Sequence, residues 1–151
     1  MKTIFALAFT LIFTPLYGQL NMLGNTYRHI LDRFNSDPEY EVKVDTMDLH
    51  TLLITCKTML NYPYYTYEID TEKDECVSFG TVSKNIAVLD AYLEMLSVVG
   101  VLENEDSLKQ NSVFRVAAPD LGTLYYSVKH YARTDSLKRN LFYILVTKDK
   151  K

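Results

Sequence analysis

The side chains with the most chemistry to offer in this 151-residue chain are two cysteines, three histidines and a run of carboxylates. Nineteen residues separate Cys56 from Cys76, so a disulfide between them would close a medium-sized loop. Such a staple would stabilise the fold by ~3 kcal/mol, and the spacing predicts that the two thiols pair in an oxidising compartment. No base accompanies either cysteine and no Cys-x-x-Cys occurs, so neither is read as a nucleophile. His29, His50 and His130 do not stand at metal-ligand spacing with a second ligand pair. His130 is the informative one. In an extended strand it shares a face with Leu124, Tyr126 and Val128. Tyr126 and His130 are therefore the candidate ligand-binding pair, a phenol and an imidazole at the end of a sheet cavity, able to hold a ligand or pass a proton. Asp70, Glu72, Asp74 and Glu75 lack the spacing and central glycine of a calcium loop, which predicts a solvated hairpin tip. Neither a catalytic set, nor a metal site, nor a cofactor motif is found: the glycines are isolated, and no Gly-x-Ser-x-Gly or His-Glu-x-x-His occurs.

Tyrosine is frequent, at 12 residues. Tyr62, Tyr64, Tyr65 and Tyr67 cluster, and Tyr125, Tyr126, Tyr131 and Tyr143 follow near the C-terminus. Aromatic side chains fit a half-buried pleated surface and also stack on sugars, peptides or bases. The net charge of −3 hides a division. Residues 19–108 hold 6 basic and 16 acidic residues, whereas residues 109–151 hold 9 basic and 3 acidic ones. The acidic part is expected to fold back on the basic part and neutralise it. The overall acidity argues against a nucleic-acid partner.

The first eighteen residues form a separate text. Lys2 precedes an apolar run over residues 4–13, and Gly18 stands before the polar Gln19. A positive start, a short apolar stretch and a small residue make a signal-peptide pattern, too short for a membrane span. The expected cleavage after Gly18 leaves residues 19–151 as a single domain, secreted or periplasmic, with no later span.

Elements must position the candidate residues. Leu23, Tyr27, Ile30, Leu31 and Phe34 predict a helix over residues 22–35, and alternation predicts a short edge strand at 40–44. Leu49, Leu52, Leu53, Cys56 and Leu60 give a helical stripe over 46–60, although Thr51, Ile54, Thr55 and Thr58 are stiff in a helix. A hairpin follows at 64–70 and 76–82, then a helix from Ser83 to Val99 closed by a left-handed Gly100, then an acidic loop over 103–111. Strands at 113–118, 123–131 and 141–147 complete a three-stranded meander, turning at Pro119-Asp120-Leu121-Gly122. The expected class is α+β, with about three helices packed on a mostly antiparallel sheet of five to six strands. In element order this resembles the cone-shaped nuclear-transport-factor-2-like fold over residues 22–147, a resemblance that carries no site residue with it. The functional expectation is an exported, non-enzymatic module that binds a protein or small ligand. A small cavity enzyme and a charged-surface interaction or inhibitor protein are the alternatives.

Overall fold

The computed structural model describes residues 22–60, 63–106, 111–130 and 141–148, so the expected signal peptide lies outside the described residues. One face of a single eight-stranded antiparallel sheet carries the core. Helix α1 (Tyr27–Asn35) leads into β1 (Tyr40–Thr46), β2 (Thr51–Thr58), β3 (Tyr64–Asp70) and β4 (Glu75–Ser83). Helix α2 (Ile86–Val99) leads into β5 (Gly100–Glu105), β6 (Asn111–Ala118), β7 (Gly122–His130) and β8 (Phe142–Thr147). The spatial order is β1-β2-β3-β4-β8-β7-β6-β5. Two halves, each a helix followed by a four-stranded meander, thus join edge to edge where β4 pairs with β8.

The inward face can be followed across the register. Cys56 stands opposite Tyr65, Tyr67 opposite Phe79, Phe79 opposite Val146, and Val146 opposite Tyr126. Both helices cover this face. From α1, Phe34 sets its ring 5.1 Å from Tyr40 and 5.6 Å from Tyr67, centroid to centroid, in edge and tilted contacts. From α2, Leu89, Tyr92, Met95 and Leu96 are buried, and the Tyr92 hydroxyl bonds the Thr81 side chain on β4. Each helix starts on a side-chain cap. Thr26 Oγ1 accepts from the His29 N–H and Asn85 Oδ1 from the Ala87 N–H, satisfying donors that a helix leaves open. Among the described residues no helix is long and apolar enough to cross a membrane.

The expected architecture is therefore corrected: the described residues form two helices in place of three, and eight strands in place of five or six. Residues 46–60 are responsible for the first difference. They form a turn and β2, with Leu52, Ile54 and Cys56 on the inward face at a period of two. The helical stripe depended on Leu49 and Leu60, which lie outside the strand and are 91% and 85% exposed. The β-branched residues favour the strand, since they lose more χ1 freedom in a helix and pack well on a pleated surface. The same segment supplies one of the added strands, and Gly100 opens the other. Its φ of −99° is extended, so the chain passes from α2 straight into β5. Residues 103–105 read as loop because they are polar, but β5 is an edge strand whose side chains meet solvent. The C-terminal meander consequently has four strands. The resemblance to the cone-shaped fold falls with these corrections, since its second N-terminal helix is here a strand inside a continuous sheet.

Candidate functional site

Tyr126 and His130 do share the inward face of β7. Tyr126 is 1% exposed, wedged between Phe114 and Val146 in the core. His130 ends the strand opposite Phe142, with its Nε2 enclosed and without a hydrogen-bond partner among the described residues.

The cysteines do not form the expected disulfide. Both are free and buried. Cys76 pairs with Ile69, which stands opposite Leu52, whereas Cys56 pairs with Tyr65. The thiols are thus two strands apart and offset by four residues, a separation of roughly 16 Å from strand geometry, against about 7 Å at most for a bridge. Burial pushes both thiols up to about 12, where they act as small apolar groups.

The carboxylates at the β3–β4 tip are taken up by the fold. Asp70 Oδ1 accepts from the N–H groups of Glu72 and Lys73, and Asp74 Oδ1 accepts from the Tyr27 N–H. Glu75 pairs with Lys148, and Glu72 with His50 at 3.0 Å. Arg115 and Glu103 pair at 2.7 Å. Two basic residues of the last third, Arg115 and Lys148, are therefore answered by acids from earlier in the chain. Arg133, Lys138, Arg139, Lys150 and Lys151 lie outside the described residues, as do Tyr62 and Tyr131.

The remaining tyrosines divide between the faces. Tyr65, Tyr67 and Tyr126 point inward, and Tyr64, Tyr125 and Tyr143 alternate with them onto the face that neither helix covers. A groove of about 310 Å³ opens there, lined by Tyr64, Thr66, Val82, Leu141 and Tyr143. Register builds it. Tyr64 stands opposite Val82, and Val82 opposite Tyr143, so the two phenols flank β4 from β3 and β8. Their backbones are two strand spacings apart, about 10 Å.

Gly80 lets two of the lining residues, Thr66 and Tyr143, approach each other across β4. It stands between Thr66 on β3 and Leu145 on β8. A Cβ at this position would lie 2.5 Å from Thr66 Oγ1 and 2.7 Å from both Cε2 and the hydroxyl of Tyr143. Tyr143 therefore leans diagonally across β4, the far end of its ring filling the space a side chain at 80 would need. Glycine in a strand commonly marks such a close approach. The groove offers two aromatic rings, two aliphatic side chains and one aliphatic alcohol, which suits stacking and hydrogen bonding. Sequence reading picked out Tyr64 and Tyr143 as members of aromatic clusters but missed Thr66, Gly80, Val82 and Leu141. The available signal was Gly80, an isolated glycine inside a strand pattern. Comparison with protein-family models, with curated proteins and with solved structures finds no match for this chain.

Proposed function

We propose that this is an exported, non-enzymatic binding module that takes a small ligand on the sheet face opposite its two described helices. The observation that carries the reading is the groove between Tyr64 and Tyr143, beside which β4 gives up its side chain at Gly80 so that Tyr143 can lie against Thr66. A pocket of mainly apolar and aromatic lining with a few polar groups is the usual form of a small-molecule site. Among the described residues the lining holds no carboxylate, histidine or cysteine, and its rings and hydroxyls suit recognition by shape and stacking.

Two measurements test this. Nuclear magnetic resonance of tyrosine-labelled protein should show ligand-induced shifts confined to Tyr64 and Tyr143, with Tyr67 and Tyr126 in the core unmoved. Shifts at Tyr126 without shifts at Tyr143 would place binding on the wrong face. Export is tested by the intact mass of the secreted product, expected to begin at Gln19. A product that retains Met1 would refute cleavage.

A further inference from the structure

We infer that the ligand of this groove is a small organic anion, an apolar ring or short hydrocarbon body carrying an acid group, a conclusion that rests on the groove being the binding site. Three lysines around one end of the groove carry the argument. Lys57 on β2 stands opposite Tyr64, and Lys129 on β7 stands opposite Tyr143. Each shares a face with its tyrosine, because residues directly opposite in a ladder project to the same side. Lys84 lies two residues past Val82, just beyond the end of β4, where the alternation of the strand returns to this face. All three are exposed. The row Lys57, Tyr64, Val82, Tyr143, Lys129 thus sets a cation on either side of the groove, each about 10 Å from β4 by strand spacing. Lys84 sets a third at its end.

Carboxylates of this face stand farther off. Among the described residues, the nearest by register are Glu41, one strand beyond Lys57, and Glu68, two residues past Thr66 on β3. Glu68 Oε2 accepts from Ser78 Oγ at 2.7 Å. The groove is thereby polarised along its strands, basic beside Tyr64, Val82 and Tyr143 and acidic beyond Thr66. An acid group settles at the lysine end, and its body lies between the two rings and against Val82 and Leu141. Lysine carries its charge on a flexible stem, so the three can reach a bound anion from the rim. Burial of carbon in the lining adds to that attraction. The volume of about 310 Å³ lies at the small end of ligand pockets, which fits a single ring or a chain of a few carbons. A cationic ligand would meet three like charges at that end.

The test uses the full chain as secreted and matched probes: p-toluate and hexanoate, each beside its neutral amide, and inorganic phosphate as an anion without a body. Binding is followed by tyrosine resonances and by calorimetry. At least one acid is expected to shift Tyr64 and Tyr143, and the stronger of the two tells ring from chain. That acid should bind about tenfold or more tightly than its amide, the combined effect of three exposed charges. Lys57→Gln, Lys84→Gln and Lys129→Gln should each weaken it about two- to fivefold, as should raising salt from about 50 to about 500 mM. Lys43→Gln, on the same face but paired with Asp45, should leave it unchanged. An amide that binds as tightly as its acid, or acid binding unmoved by salt and by the three lysine variants, overturns the anion while the groove stands. Phosphate binding as tightly as either acid overturns the apolar body. If no probe shifts these two rings at millimolar concentration, the groove itself is overturned as the site.

Discussion

Replacing Gly80 by alanine is the sharpest perturbation this sheet offers. In most strands the change would stabilise the protein by about 0.4–1 kcal/mol, because alanine has less backbone freedom to lose on folding. Here the new Cβ would meet Thr66 Oγ1 at 2.5 Å and two Tyr143 atoms at 2.7 Å, well inside ordinary van der Waals contact. Overpacking of this kind costs about 1–3 kcal/mol. The lower half of that range applies, since the far end of Tyr143 can swing away, whereas Thr66 can only turn about χ1 on a paired strand. Set against the gain in the unfolded chain, Gly80→Ala should be destabilising by about 1 kcal/mol, a drop of about 2–4 °C for a domain of this size. Urea denaturation measures it as a lower midpoint with an unchanged slope. The double variant Gly80→Ala/Tyr143→Ala provides the control. With the ring gone, the added methyl should cost less than in the wild-type background, giving a coupling of about 0.5–1 kcal/mol. A Gly80→Ala protein as stable as wild type, or one with no coupling to Tyr143, would refute the placement of that ring over β4.

Three further outcomes follow from the core and edges. The buried thiols rise from an ordinary value of 9.0 to about 12, so they keep their protons in the folded state at pH values where the unfolded chain has released them. Stability is then full below pH 9 and declines as pH rises toward 12, by about 1.4 kcal/mol per pH unit for each thiol. Urea midpoints between pH 8 and 11 should show this decline, and Cys56→Ala should reduce its steepness. Native protein should also resist a thiol reagent at pH 8 and titrate two thiols once denatured. Phe34→Ala should cost about 3–5 kcal/mol, because this ring ties α1 to Tyr40, Tyr65 and Tyr67. Far-ultraviolet circular dichroism during urea denaturation checks it, and a loss under 1 kcal/mol would contradict the packing. Val98, Val99, Val101 and Leu102 are exposed where α2 hands over to the β5 edge. Val101→Lys should leave stability within about 0.5 kcal/mol while lowering self-association in sedimentation measurements.

Local chemistry was legible in the sequence where one signal dominated. The Pro119–Gly122 turn is one such place: Gly122 takes a φ of +79° and the chain reverses between β6 and β7. The β3–β4 hairpin, whose polar tip separates two alternating runs, is another. Where two periods overlapped, the sequence misled. In 46–60 the leucines fit a helix and the β-branched residues fit a strand, and cross-strand pairing with β1 and β3 settled it. Strand β5 was hidden because an exposed edge strand needs no alternation of apolar and polar residues. The candidate site was half legible. The tyrosine clusters were visible, but which tyrosines face outward depends on register, and one residue of slip exchanges the faces. Tyr126 and His130 drew attention by type and by their shared strand face, and the sheet placed that phenol in its core.

The two-half construction adds a consequence for binding. Tyr64, Thr66 and Val82 belong to the first meander, and Leu141 and Tyr143 to the second or its approach. The groove therefore straddles the β4–β8 ladder, which runs from the Ser78–Thr147 pair to the Ser83–Phe142 pair. Neither half contains a complete site, so a ligand seated there contacts both sides of the seam and binds only when the halves are joined. Its binding free energy is then added to the stability of the whole sheet, with no effect on either half alone. At a hundredfold excess over its dissociation constant a ligand adds about 2.7 kcal/mol, or roughly 5–11 °C in a domain of this size. Calorimetric melting with saturating ligand should therefore give a single transition displaced upward. A split into one shifted and one unshifted transition would mean that the ligand sits within one half and that the seam is not its site.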